Sequence, residues 1–521
     1  MHVLLVSTYE LGHQPIGLAS PAAWLIRAGH DVTCIDISVE PFDTDAAALV
    51  DAIAISVPMH TAARIALQLT DNIRKVGITA PICLYGLYAN VASFSPVAGC
   101  ISKFISGEYE PSLVKWVGEV ARSNNAVAGL SNTDTHGLDS TASGAHSVDT
   151  HGNRSVVVLD RSMPLLPNRD LLPSLNHYAR LLYHDKEYLT GYSEATRGCA
   201  HKCLHCPVPS VYNGRIRKND LDILLQDVEN LVSAGAQHIT FGDPDFLNAP
   251  SYAVKVLSAV HDSFPQLTCD LTIKVSHIVK YVDLFPEIAR NGCIFVVSAF
   301  ESASDRILEL LHKGHTLKDM ENAVRILRTN GIEPRVSLMP FTPWTTRNDV
   351  IALLDMAVAF DLIPNIDPVQ WSIRLLVPPG SLLLQDRRTA GSFRKFDPGK
   401  LSYEWTSPDS ELDVLQDDLE SIATLISEEN LDYIEAFDLI RSRIGKIFDL
   451  SGNGSFKHTG MGMGKVISGL QSSIAAEDRP RLTESWFCCA EPMQNQLDAL
   501  HMNRAATDND LCSDSICYDT C

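Results

Sequence analysis

Three cysteines within eight residues carry the clearest chemistry in this chain. In Thr196-Arg197-Gly198-Cys199-Ala200-His201-Lys202-Cys203-Leu204-His205-Cys206-Pro207 the thiols are spaced C-x3-C-x2-C. One loop of that spacing can wrap three thiolates around an iron–sulfur cube, whose usual ligands are cysteine thiolates. Only three are offered, so one iron stays open to an external ligand. A zinc loop is the bland alternative, but structural zinc takes four closed ligands with other spacings. His201 and His205 lie inside the loop, where such residues more often line a cluster or face solvent than bind metal.

A second group of thiols lies at the far end, in Trp486-Phe487-Cys488-Cys489-Ala490-Glu491-Pro492 and then at Cys512, Cys517 and Cys521. Adjacent thiols with further cysteines behind them make a soft-donor set, and three readings stay open. The tail is inert and exposed; or Cys512, Cys517 and Cys521 hold zinc or an auxiliary cluster; or the thiols bind a thiophilic substrate such as trivalent arsenic.

The chain has 521 residues, 13 cysteines and a formal charge of −21. That charge argues against nucleic acid or an anionic membrane as partner and fits a solvated acidic surface. No apolar run approaches the roughly 20 residues needed to span a bilayer. The apolar residues 1–6 are too short for a signal peptide and lack a basic flank. The expectation is therefore a cytoplasmic protein, whose cysteines serve better as metal ligands or reactive thiols than as disulfides.

The elements that must position these thiols follow from the apolar patterning. Residues 1–122 alternate strands (2–7, 31–37, 52–57, 80–85) with helical segments such as 17–28, which implies a parallel, Rossmann-like sheet. Residues 123–155 turn polar and low in complexity. They repeat Asp134-Thr135-His136-Gly137 as Asp149-Thr150-His151-Gly152, which reads as a linker rather than a metal site. A second βα series fills 156–385, with strands expected at 189–196, 238–241, 268–273, 294–299, 333–339 and 371–376. Six such strands fit a partial β/α barrel, with its ligand site at the C-terminal strand ends. Residues 386–480 read as helical, chiefly 409–427 and 431–448, and 481–521 as the cysteine-bearing tail.

The cluster motif, just after the first barrel strand, resembles that of the radical S-adenosylmethionine (SAM) superfamily. The resemblance implies a [4Fe–4S] cluster on Cys199, Cys203 and Cys206, SAM as co-substrate and a low-potential electron donor. It also suggests SAM contacts. Phe241-Gly242-Asp243-Pro244-Asp245 stands where the family has a Gly-Gly-Glu-like element, from which it departs, so only Gly242, Asp243 and Asp245 are carried over. Glu301 and Ser302, with Lys313-Gly314-His315-Thr316, resemble a later family stretch beside the ribose and methionine moiety. Lys274 and Arg335 are cations at strand ends suited to a SAM carboxylate, although a plain salt bridge is the commoner role for either.

A Rossmann-like domain ahead of such a barrel resembles the cobalamin-binding subclass. The D-x-H-x-x-G signature is missing after the first strand, so a structural or substrate-covering role is read ahead of cobalamin binding. The Cys488-Cys489-Ala490-Glu491-Pro492 run resembles the CUAEP/CCAEP-tail subgroup, which includes a member acting in arsinothricin biosynthesis. That resemblance implies transfer of the 3-amino-3-carboxypropyl group of SAM to arsenite, or another thiophilic acceptor, bound by Cys488, Cys489, Cys512, Cys517 and Cys521. The rival expectations are a cobalamin-dependent methyltransferase and a non-catalytic metalloid-binding protein.

Overall fold

Short apolar runs buried on both faces set the N-terminal architecture. The computed structural model describes residues 1–127, 154–429, 431–449, 465–484 and 491. Strands β1 (His2–Ser7), β2 (Asp31–Asp36), β3 (Ala52–Ser56), β4 (Ile82–Tyr85), β5 (Lys103–Gly107) and β6 (Ser155–Val158) form a parallel sheet in the order β2-β1-β3-β4-β5-β6. Successive side chains face opposite ways. Val3, Leu5, Ala52 and Ala54 therefore meet the helices Ile16–Arg27 and Glu110–Val127. Leu4, Val6, Ile53 and Ile55 meet the helix His60–Lys75 on the other side.

The first four expected strands are found within two residues at each end. The boundaries differ. The helix Glu110–Val127 runs past 122, and Ser155–Val158, assigned from sequence to the linker end and barrel start, pairs with β5 in parallel. Val156 and Val158 pack on the Leu5 face of the N-terminal sheet, which gives that pairing its apolar contact. A shift in composition marks where polar sequence begins, but carries no information about which distant strand the next apolar run will join.

The second sheet holds β7 (Arg180–Tyr183) and β8 (Lys186–Ser193), with a small ribbon of β9 (Thr196–Gly198) and β10 (Ile216–Lys218) beside it. It continues through β11 (His238–Phe241), β12 (Thr268–Thr272), β13 (Cys293–Glu301) and β14 (Glu333–Leu338). β8, β11, β12, β13 and β14 are parallel neighbours, giving a partly closed barrel-like wall. After the hairpin β15 (Phe396–Asp397) and β16 (Ser402–Tyr403), the late strand β17 (Arg481–Leu482) pairs with β7 at the sheet's far edge.

The strand expected at 371–376 does not form. Pro368–Trp371 is a 3-10 turn, and only an isolated bridge joins Phe341 to Arg374. Pro368 starts that turn and Pro378-Pro379 follow the segment, and prolines neither donate to a ladder nor extend one. The helices Ser410–Glu429 and Tyr433–Ile447 lie near the expected positions, and the first buries Leu412, Leu415 and Leu419 in the barrel core. Among the described residues no helix is long and apolar enough to cross a membrane.

Arg169 staples the two sheets together. Its guanidinium donates to both Asp227 oxygens (2.7 and 2.9 Å), to Gln14 Oε1 (2.9 Å) and to the Tyr192 carbonyl (2.7 Å). Gln14 belongs to the N-terminal domain, while Tyr192 and Asp227 belong to the barrel, and the ion pair is buried. Removing one partner of a buried pair strands the other charge. We expect Arg169→Ala to lower unfolding free energy by about 3–5 kcal/mol, read from the shift in urea midpoint.

Candidate functional site

The cluster loop is held in place before any cofactor is considered. β8 ends at Ser193, and two residues later the backbone N–H of Ala195 donates to Asp243 Oδ2 (2.9 Å) while Thr196 Oγ1 donates to Oδ1 (2.5 Å). Asp243 stands just past the end of β11, so a buried carboxylate ties the second parallel strand to the entrance of the loop. Gly198 then makes the turn into Cys199 at φ +77°, where a Cβ would stand 2.4 Å from the Arg215 carbonyl oxygen. Further on, the Leu204 N–H donates to the Leu311 carbonyl (3.0 Å), and Ser381 Oγ donates to the Leu204 carbonyl (3.2 Å).

Cys199 and Cys203 are buried and Cys206 half-buried, and all three line one cavity of about 450 Å³. Beside them stands a buried ion pair. Lys313 Nζ donates to Glu301 Oε1 (3.0 Å), and His205 Nε2 lies 3.1 Å from the same oxygen. Glu301 has φ +63°, in the left-handed region that non-glycine residues seldom occupy, and the β13–β14 register shifts between Ala299 and Glu301. Such strained positions cluster at functional sites. Burial works against ionised Glu301, but Lys313 and His205 hold its carboxyl well below the usual carboxylate range. Burial likewise opposes the Lys313 charge, which Glu301 and the nearby Cys203 and Cys206 sustain.

These residues fit an iron–sulfur cluster: three thiols outside any disulfide in one wall, with a buried ammonium beside two of them. The expected SAM contacts divide. Gly242 lines the cavity, and a Cβ there would stand 1.8 Å from the Tyr192 hydroxyl, so no larger residue fits. Lys274 lines the cavity and makes no ion pair among the described residues, which leaves its ammonium for a carboxylate ligand. Asp243 also lines the cavity, but its oxygens are used by Ala195 and Thr196. Asp245 faces His201 and His277.

Two further residues already have protein partners. Arg335 lines the cavity and makes the plain salt bridge weighed above, with Asp367, and it also donates to the Pro364 carbonyl (2.8 Å) and to the Tyr433 hydroxyl (3.2 Å). Ser302 does not line the cavity, and its hydroxyl accepts from the Ser304 N–H (3.2 Å). Cys488, Cys489, Cys512, Cys517 and Cys521 lie outside the described residues, as do both Asp-Thr-His-Gly repeats.

The N-terminal sheet supplies a wall that the sequence reading did not anticipate. Glu10, His13, Gly17, Ser56 and Met59 reach the same cavity as the cluster cysteines. Glu10 accepts from Ser56 Oγ (3.3 Å) and from the Gly17 N–H (3.5 Å). Burial, with Asp36 and Glu194 nearby, pushes its carboxyl up to about 8. Burial also pushes Asp243 up to about 7, and lowers His13, stacked on Tyr192 at 4.7 Å, to about 4. Near neutrality the wall therefore presents a neutral imidazole and a protonated acid at Glu10. The only sequence signal was the position of residues 8–16 after the first strand, where Rossmann-like sheets bind ligands.

Residues 193–357 match the profile of the Radical SAM superfamily. They are a radical SAM domain. The family uses a [4Fe–4S] cluster and SAM, and the cysteine loop just described is where both would be held. A Methanocaldococcus jannaschii protein named as a methylthiotransferase is 29% identical over 229 residues, 40% of this chain and 48% of that protein. The match thus spans about half of that relative's length. A Pyrococcus horikoshii protein named as an uncharacterized methyltransferase is 23% identical over 70% of this chain and 76% of its own.

Solved structures extend the likeness beyond the radical SAM domain. The cobalamin-dependent radical enzyme OxsB, with aqua-cobalamin and SAM bound, superposes with a TM-score of 0.61 at 14% identity, over 86% of this chain and 72% of OxsB. The methyltransferase TsrM from Kitasatospora setae gives 0.53 at 18% identity, over 69% and 71%. At these identities the likeness is one of fold: an α/β radical SAM fold with a partly closed barrel-like sheet.

Two outcomes follow from this geometry. Cys203→Ala should leave a folded protein that, after reconstitution, lacks iron and the broad visible absorbance of the cluster. Glu10 bears on stability. The folded protein keeps its proton up to about pH 8, whereas the unfolded chain releases it near the ordinary value of 4.5. Between those values rising pH favours unfolding. Glu10→Gln should therefore raise Tm relative to the parent more at pH 8 than at pH 5.

Proposed function

We propose that this chain transfers the 3-amino-3-carboxypropyl group of SAM to arsenite, forming a carbon–arsenic bond and releasing 5′-methylthioadenosine. When bound, a reduced [4Fe–4S] cluster supplies the electron that cleaves a C–S bond of the sulfonium. In sum, one C–S and one As–O bond break and one C–As bond forms. Two electrons from a low-potential donor and one proton enter, and water leaves with the thioether.

The observation that carries this reading is the pair of contacts flanking Cys488 and Cys489. Glu484, four residues before the pair, lines the cavity and accepts from the Tyr9 hydroxyl (2.6 Å). Glu491, two residues after it, pairs with His60 Nε2 (3.1 Å) and with Arg64. His60 follows Met59, another cavity residue. Adjacent thiols in the sequence between these two carboxylates suit a soft, trivalent acceptor. The acid-rich wall favours a neutral one, because a further anion would meet Asp270, Glu194 and Glu484. Lys274 is the cation that suits the carboxylate of SAM.

A second reading, cobalamin-dependent methyl transfer, is favoured by a different observation. Leu11, Met59, Leu87 and Tyr88, at the C-terminal ends of the N-terminal strands, face the same cavity and would suit one face of a large planar ligand. Cobalamin there would supply a methyl carrier. The absorbance spectrum of protein from cobalamin-replete cells separates the two readings.

The deciding experiment is anaerobic incubation of reduced, cluster-loaded protein with SAM and arsenite. We expect 5′-methylthioadenosine together with an amino-acid arsenical, detected by arsenic-specific mass spectrometry. Release of 5′-deoxyadenosine alone would rule the transfer out.

A further inference from the structure

Three side chains from three elements converge beside the cluster loop, and of these only Asp245 was expected, as a SAM contact. His201 sits between Cys199 and Cys203. Asp245 follows β11. His277 stands on the short helix Val275–Lys280 that follows β12. His201 Nε2 lies 3.2 Å from Asp245 Oδ2 and 3.2 Å from His277 Nε2, and Asp245 Oδ2 lies 2.7 Å from His277 Nδ1. Asp245 is 1% exposed and His277 8%.

Asp245 Oδ2 and His277 Nδ1 are both buried and, despite the 2.7 Å separation, neither has a hydrogen-bond partner among the described residues. A buried carboxylate oxygen and imidazole nitrogen left in that state would each cost free energy. The other oxygen, Asp245 Oδ1, takes only a long 3.5 Å contact from the Lys274 N–H.

We propose that His201, Asp245 and His277 form a metal site for one divalent first-row transition ion, separate from the thiolate cluster. Two imidazoles and one carboxylate are a donor set that such ions take with coordination positions left open. Metal–ligand bonds of about 2.1 Å put neighbouring donors about 3–3.5 Å apart, and one donor atom from each of the three residues lies within 4.8 Å of the other two. His201 and Asp245 line the main cavity, so the open positions face it and are available to water or to an oxygen donor of a bound ligand. The side chain of His201 is 26% exposed, which gives an ion a way in. The neighbouring Asn248 Oδ1 accepts from the Ala200 N–H (3.1 Å) and steadies the loop next to His201. The site does not depend on which acceptor the protein uses.

The test uses full-length protein with its oxidised cluster, which is EPR-silent, titrated with Mn2+. Manganese prefers oxygen and nitrogen donors over thiolates, so the tail cysteines do not compete. We expect one Mn2+ per chain, seen as loss of the free-ion signal. Asp245→Asn and His277→Ala should abolish that binding. His201→Ala, a change in a partly exposed loop that leaves the core packing alone, should weaken it by more than about tenfold, the scale on which even outer-shell partners act. Unchanged cluster absorbance and circular dichroism would show that the variants fold. Absence of Mn2+ binding by the parent, or binding that Asp245→Asn and His201→Ala leave unchanged, would overturn the proposal.

Discussion

Gathering three thiols in a largely buried wall leaves any negative charge that forms there poorly screened by solvent, and that constraint shapes the surroundings. Lys313 answers it by presenting an ammonium beside Cys203 and Cys206. A buried ammonium needs a counter-charge in turn, which Glu301 provides while also engaging His205 from the loop itself. Glu301 reaches both only because β13 slips its register and adopts left-handed backbone there. The local strain, the ion pair and the thiol cluster therefore form one dependent series. Each makes sense because of the next, and a change at any of them is felt at the loop.

The cavity belongs to neither sheet alone. Its floor is the ends of β11, β12 and β13 together with the cysteine loop, and its roof is the loops after β1, β3 and β4. Arg169 and the Tyr9–Glu484 contact hold roof and floor together. Closure is what gives Glu10, His13 and Asp243 their unusual protonation, since burial is the largest influence on each. A barrel with an open mouth would leave these groups titrating in water.

What could be read from sequence was local. The C-x3-C-x2-C spacing, the strand before it and the alternation of β1 to β4 all depend on short stretches of chain, and each is found. What could not be read depended on partners distant in sequence. Arg335 could pair with a ligand or with the protein, and its partner, Asp367, lies 32 residues on. Ser302 looks like a ligand until the turn after it uses its hydroxyl. His201 and His277 are 76 residues apart, and nothing in either neighbourhood announces that they meet. Residues 371–376 have an apolar strand pattern, but the prolines on either side decide otherwise.

The placement of β6 bears on how this molecule can be divided. The chain leaves the N-terminal sheet at Val127 and returns to it at Ser155, completing the edge beside β5 before it enters the barrel. The described chain on both sides of residues 128–153 thus belongs to one sheet and its covering helix. Severing the chain there would not free an independent barrel, because the downstream fragment would keep a strand that belongs to the upstream sheet. The two pieces would instead remain complementary, as a split protein does, joined along a four-residue parallel ladder.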